Sequence, residues 1–514
     1  MILIKGGAII DGTGKPAYKA DVLLKGNKIA AIGAFPQKQA EEIIDALGLY
    51  VAPGFIDVNT DVDHYLTIFT NPSQQDFLTQ GVTSIIGGHC GASLAPLLYG
   101  SLESIRKWAN PNAVNVDWHT MGELLRALGS RKLGVNFGTM VGHSTIRRAL
   151  IGETMRDLTV RELEVFKYLI TEALEEGALG FSTGLGYAHS RQTPYAEIKT
   201  LLEPVARAGA VYATHLRDER RELAASVAET VRIARETGAK TLISHLRPLL
   251  GFEKQFRTAV ALLYDATTPQ NIFFNGYPYD TSVVPMYTLL PQWAQNGGFD
   301  VMKRHLHDSH TRERIMNELK DIRGDAITIA AAIGEAGFDH LIGKTLTDFA
   351  AHEELPIPEA LLKLMTITGL RTVVFIRNVD QALAVENLMG PRALVASNSA
   401  GLSDDARMLK HERFTNTFPR FLEIVLSQSK TAAQSPPALS LEAAVKKITS
   451  APAALFGLTG RGVIAEGAYA DLALFSHDAT GAIAVRHTFV SGAHAVKDGS
   501  FRALFAGRVL RSSS

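Results

Sequence analysis

Cysteine and histidine are the side chains that hold borderline-soft divalent metals, and three of them close separate apolar runs in this chain. Cys90 ends VTSIIGGHC (82–90), His215 ends AVYATH (210–215) and His245 ends KTLISH (240–245). Three such donors leave a tetrahedral ion one position for water, the layout of a catalytic metal site. Singly, each has an ordinary explanation, because a lone buried cysteine packs as a small apolar group and a lone strand-end histidine is more often a satisfied core residue. Their joint placement favours a metal. Two more run ends are polar: APGFIDVN (52–59) continues into Asn59-Thr60-Asp61, and RALVASN (392–398) stops at Asn398. Strand alternation puts Asn59 and Asp61 on one face and Thr60 on the other.

Residues converge from such run ends when the runs are parallel strands of a closed barrel, whose site lies at the carboxyl ends of the strands. Eight runs are present, at 52–59, 82–90, 133–143, 178–183, 210–215, 240–245, 271–279 and 392–398, with helical periodicity between them, for instance over Asp157–Glu176 and Glu219–Gly238. The chain therefore reads as a (β/α)8 TIM barrel over residues 51–458, with an insertion at about 280–390 that covers the barrel mouth. Short strands and turn residues at both ends, 1–50 and 459–514, read as two parts of one small β-sandwich.

The segments PGFIDVNT (53–60), GVTSIIGGHCGASLAPL (81–97), MVGHSTIRRALIG (140–152), EEGALGFSTGLGYAHS (175–190), VYATHLRDE (211–219), TLISHLRP (241–248), GYPYDTS (276–282), HERFTNTFPRFL (411–422) and LEAAVKKITSAPAALFGLTGRGVIAEGAYADLALF (441–475) resemble, in order, the motifs of the N-acyl-D-amino-acid deacylases, or D-aminoacylases, of the amidohydrolase superfamily. The resemblance runs along nearly the whole chain. It implies a barrel with a β-sandwich from both termini, a zinc site on Cys90, His215 and His245, and cleavage of the amide of an N-acyl (D-)amino acid. It also implies an anchor for the substrate carboxylate, for which Arg247, Arg413, Tyr187 and Tyr279 are the candidates, with Asn59 lining the pocket. An arginine can hold a carboxylate through two hydrogen bonds.

The chain also departs from that pattern. The family's first strand ends in His-x-His, here Asn59 and Asp61, and its eighth strand ends in an aspartate, here Asn398. An amide oxygen is a weak zinc ligand and a neutral amide cannot act as a base, so one zinc per chain is expected and the proton must be handled elsewhere. Asp61 is one candidate, and Asp404 or Asp405 in GLSDDA another, although a Ser-Asp-Asp run also suits a helix N-cap. His64 and His89 flank the centre and are candidates to replace a lost ligand. His143 reads as pocket-lining or structural, and the histidines at 305–310 as a solvated helical face.

With 514 residues, 46% hydrophobic and 20% charged, and 52 basic against 52 acidic residues, the chain is an ordinary globular protein with no global field for nucleic acid or an anionic membrane. The single cysteine excludes an intrachain disulfide. No apolar stretch of about 18 residues and no leader-like start are seen, so a cytoplasmic protein with a small-molecule substrate bearing a carboxylate and an amide is expected. Three readings follow: a mononuclear zinc hydrolase, a repurposed enzyme of the same fold performing acyl transfer, cyclisation or elimination, and a non-catalytic binding protein.

Overall fold

The computed structural model describes residues 1–36, 40–99, 102–332, 337–402, 407–431 and 439–512. Eight strand segments pair in parallel around a barrel: Phe55–Asp57, Val82–Gly87, Asn136–Thr139 continuing after Met140 into Val141–Gly142, Gly180–Gly184, Val211–His215, Lys240–Ile243, Ile272–Gly276 and Ala393–Val395. Alternation divides their side chains between two apolar clusters. Phe55, Ile85, Tyr212 and Ile243 join one, and their neighbours Ile56, Ile86, Val211 and Leu242 join the other. The two periodic helices of the sequence are found at Val160–Glu175, opened by a Thr159/Glu162 capping box, and at Leu223–Thr237, ended by Gly238 in the left-handed conformation.

Strands from both chain ends form one nine-stranded sheet, in which Tyr50–Pro53 is the seam. It lies parallel to Ile2–Ile9 and antiparallel to Leu472–His477, and both ends contribute to a shared apolar cluster that includes Ile4, Val22, Val51, Leu472 and Phe489. Residues 507–510 leave this sheet and run beside the third barrel strand, with Phe137 N–H donating to Arg508 O and Leu510 N–H donating to Phe137 O. Between the seventh and eighth barrel strands, Thr281–Pro285, Ile327–Ala332 and Thr372–Arg377 make a separate antiparallel sheet with its own core around Met286, Ile327, Leu361 and Val374. In the segment 305–310, His307 and His310 are exposed, while His305 is half-buried with Nδ1 3.0 Å from Ala294 O. No described helix is long and apolar enough to cross a membrane.

The last strand closes on the first through Asn398 N–H to Asn59 O (3.0 Å) and Asp61 N–H to Ser399 O (2.8 Å). Buried Asp57 reinforces the seam by accepting from the backbone and hydroxyl of Ser397. Burial pushes the Asp57 carboxyl up from 3.8 to about 7, with the bonds from Ser397 and Asn59 opposing. A carboxyl whose folded pKa is raised binds protons preferentially in the native state, so its contribution to stability is lost as pH climbs from about 4 to about 7. Asp57→Asn should remove that loss: between pH 5 and pH 8 the decline in unfolding free energy, measured by urea titration, should shrink by roughly 3 kcal/mol.

Candidate functional site

The three candidate metal ligands singled out in the sequence meet at the carboxyl ends of the second, fifth and sixth barrel strands. Donor atoms of Cys90, His215 and His245 lie within 4.8 Å of one another. Cys90 Sγ is 3.5 Å from His245 Nε2, and the two imidazoles meet edge to face with centroids 4.6 Å apart. Only His215 sits within a strand; Cys90 and His245 lie just beyond theirs, at φ 53° and 39°, and Asn398 at φ 50°. Non-glycine residues rarely adopt this left-handed region, and three of them at the rim of one barrel mark a site whose side-chain directions are imposed by the surrounding structure. Gly186 makes room for the ring of His215, since a Cβ there would stand 2.5 Å from Nε2.

Glu219, four residues beyond His215, organises this centre and was not singled out from the sequence. Its Oε1 is 3.1 Å from His245 Nδ1, and its Oε2 is 3.7 Å from His215 Nε2 and 2.8 Å from an Arg247 amino group. Burial works to raise its pKa, but Arg247 and the two histidines outweigh it and hold the carboxyl well below its usual range. The contact to His245 Nδ1 selects the tautomer that leaves Nε2 free toward Cys90, the arrangement that orients metal-ligating histidines. The available signal was an acid four residues past a candidate ligand, in the loop that follows the fifth strand. Burial pushes the Cys90 thiol up and lowers His215 to about 3, so without a bound cation both are neutral. This N/S donor set, with Cys90 and His245 buried, His215 half-buried and its Nδ1 otherwise unpartnered, fits a zinc-like ion.

Asn59 and Asp61 do not act as a pair. The strand stops at Asp57, so alternation no longer governs the residues beyond it. Asn59 donates to Asn275 Oδ1 (3.3 Å), which also accepts from the backbone N–H of His245 (2.8 Å). Asp61 turns instead to His64 Nδ1 at 2.9 Å through one oxygen and to the amide nitrogen of Asn398 through the other. Burial pushes His64 down, yet Asp63 and Asp61 together raise it above its ordinary value. Its ring stacks on Trp108 with centroids 4.1 Å apart, so it supports Asp61. His89 is fully buried and lowered to about 3 by desolvation. His143 pairs through Nε2 with Glu197 at 2.9 Å, a buried structural contact. Asp404 and Asp405 lie outside the described residues.

Of the anchor candidates, Arg247 and Arg413 converge on Tyr277. An amino group of Arg247 donates to the Tyr277 hydroxyl (3.3 Å), and the Arg413 guanidinium lies over the ring at 4.3 Å. Arg413 is 1% exposed, its amino groups donate to the carbonyls of Thr281 and Asn398, and its Nε and that of Arg247 are buried without partners. Tyr279 packs edge-on against His411 instead, and Tyr187 stands beside His215 with ring centroids 4.8 Å apart.

A model of the amidohydrolase family matches residues 400–496. Over 532 aligned positions the chain is 31% identical to a D-aminoacylase of Alcaligenes xylosoxydans xylosoxydans, covering 99% of this chain and 97% of the relative. Among solved structures it superposes on a D-aminoacylase with TM-score 0.78, at 29% identity and 99% coverage of both chains. It also superposes on the N-acyl-D-glutamate deacylase of Bordetella bronchiseptica, solved with zinc and a phosphonate mimic of the tetrahedral intermediate, with TM-score 0.79 at 25% identity, again over 99% of each chain. Likeness over the full length, in sequence and in fold, leads to one conclusion: the chain belongs to the D-aminoacylase family of amidohydrolases.

Proposed function

We propose that this protein is a zinc-dependent hydrolase that cleaves the amide bond of an N-acyl (D-)amino acid, using a mononuclear site on Cys90, His215 and His245. The observation that carries the reading is the clustering of these three donors within 4.8 Å, backed by Glu219. When bound, the ion supplies Lewis acidity toward the amide carbonyl and toward water. The remaining chemistry falls to the chain's own side chains.

Asp61 is the carboxylate that takes the proton from the attacking water and returns it to the departing amine. It is held against Asn398, so that although the eighth strand ends in an amide, a carboxylate still stands beside that position. Its contact with His64, whose second nitrogen faces Ala92 O at 3.3 Å, fixes the direction of the remaining lone pairs. Arg413 and Arg247, with unpartnered Nε–H groups and Tyr277 between them, bind the α-carboxylate of the substrate. Asn59 acts through Asn275 to hold the backbone of His245 in its unusual conformation.

Elemental mass spectrometry on protein purified without added metal, paired with an assay for free amino acid released from N-acyl substrates, tests the reading. About one zinc per chain with metal-dependent release is expected; release that survives chelation, or no release from any member of a D and L panel, overturns it. Glu219→Gln keeps the size of the side chain but loses the charge that orients His245, and should weaken zinc binding about 10- to 100-fold in a competition titration with a chelator.

A further inference from the structure

Cys90 stands in a turn that its own backbone disfavours. The turn spans residues 88–91, with Gly88 and Gly91 both at φ 75° and Cys90 itself at φ 53°. A residue with a side chain keeps a left-handed conformation only where the surroundings over-determine it. Several elements of the barrel supply that constraint. Asp63, in the loop after the first strand, accepts from Gly88 N–H at 2.6 Å. Gly91 O accepts from the backbone N–H groups of Ser144 (2.7 Å) and Thr145 (3.3 Å) at the start of the helix His143–Ile151, and from the Ser144 hydroxyl as well. The Cys90 carbonyl lies against the fourth strand at Gly184, where a Cβ would stand 2.1 Å from its oxygen.

Ser182, on the same fourth strand, makes the one contact that closes the turn on itself. Its hydroxyl donates to Gly88 O and accepts from Gly91 N–H at 3.1 Å, so a single buried oxygen joins the residue before His89 to the residue after Cys90. Among the described residues, Gly88 O and Gly91 N–H have no other partner. Removing the hydroxyl would leave both groups buried and unsatisfied. The relaxation open to the turn is then rotation of Cys90 toward an ordinary negative φ. That rotation carries Sγ away from His245 Nε2, from which it now stands 3.5 Å.

Building on the metal-dependent reading, we propose that Ser182 is a positioning residue of the metal centre: its hydroxyl staples the 88–91 turn so that Cys90 presents its sulfur to an ion shared with His215 and His245. Ser182 touches neither ion nor substrate. It acts through the backbone on either side of the thiol, as outer partners of metal ligands do through the ligands they orient.

The test uses the full chain loaded with cobalt(II) in place of zinc, because a cobalt–thiolate bond gives a near-ultraviolet charge-transfer band that reports Cys90 and needs no substrate. Ser182→Ala should weaken cobalt and zinc binding about 10- to 100-fold in a chelator competition, and should diminish the band at saturating cobalt. Ser144→Ala is the matched control. It deletes another buried hydroxyl from the same turn but leaves Gly91 O its two backbone donors, so affinity should stay within about twofold of the natural chain and the band should persist. Ser182→Gly lacks the same hydroxyl, carries the same expectation as the alanine variant and is read where that variant does not fold. Unchanged affinity and band without the Ser182 hydroxyl, or equal losses in the Ser182 and Ser144 variants, overturns the role, whatever happens to the melting temperature of the metal-free protein. Failure of both Ser182 variants to fold assigns the hydroxyl to stability alone and overturns it too. A natural chain that binds no cobalt, or binds it without the band, rejects the metal site itself and the role of Ser182 with it. Loss of the band in Ser182→Ala, from a natural chain that releases no amino acid, keeps Ser182 and rejects the hydrolase.

Discussion

His215→Ala is expected to reduce bound zinc to background and to lower amino-acid release by on the order of 10³-fold or more, because a bound ion contributes several kcal/mol of charge stabilisation and each 1.4 kcal/mol is a factor of ten. His215 is the candidate ligand best suited to this test. Its Nδ1 is buried without any protein partner, so truncation breaks no hydrogen bond to that nitrogen, and its Nε2 edge lies against Gly186, which has no side chain to lose a contact. Desolvation lowers the imidazole to about 3, so the ring is neutral at physiological pH and its removal eliminates no charge from the core. Loss of metal should therefore come with little loss of fold. Elemental analysis and circular dichroism on the same preparation separate the two effects, and full zinc content with an unchanged rate would remove His215 from the site.

Asp61→Asn carries the second large effect: a fall in kcat of about 10²- to 10⁴-fold with zinc content unchanged, the usual contribution of a positioned general base. The argument rests on the contact between Asp61 and Asn398. Two carboxylates held so close could not both ionise cheaply, whereas one carboxylate and one amide share a hydrogen bond, so the pair accommodates a single base. Combining Asp61→Asn with Asn398→Asp exchanges the two groups across that contact and should restore part of the rate. Full activity in the single variant, or no recovery in the double, would show that Asp61 is not the proton acceptor.

The barrel was legible in the amino-acid order because its signals are local. Short apolar runs of strand length alternate with helical periods, and each run ends where polar residues begin, so Cys90, His215 and His245 could be assigned to one rim before any contact was known. The insertion announced itself in the same way, as a long stretch between the seventh and eighth runs. Alternation failed at Asn59 and Asp61 for a physical reason: the strand ends at Asp57, and past that point each side chain follows its own loop geometry, one toward Asn275 and the other toward His64 and Asn398.

Glu219 and Tyr277 escaped the sequence for a related reason, since each matters through partners far away in the chain. Glu219 bridges His245 and Arg247, and Tyr277 lies between Arg247 and Arg413. A charged residue in a polar segment reads as solvated until folding buries it. Residue types and strand spacing determined the barrel and the candidate metal ligands. Which acid holds the histidines and which carboxylate stands beside Asn398 were decided by tertiary structure, because desolvation and pairing are properties of places in space and not of positions along a chain.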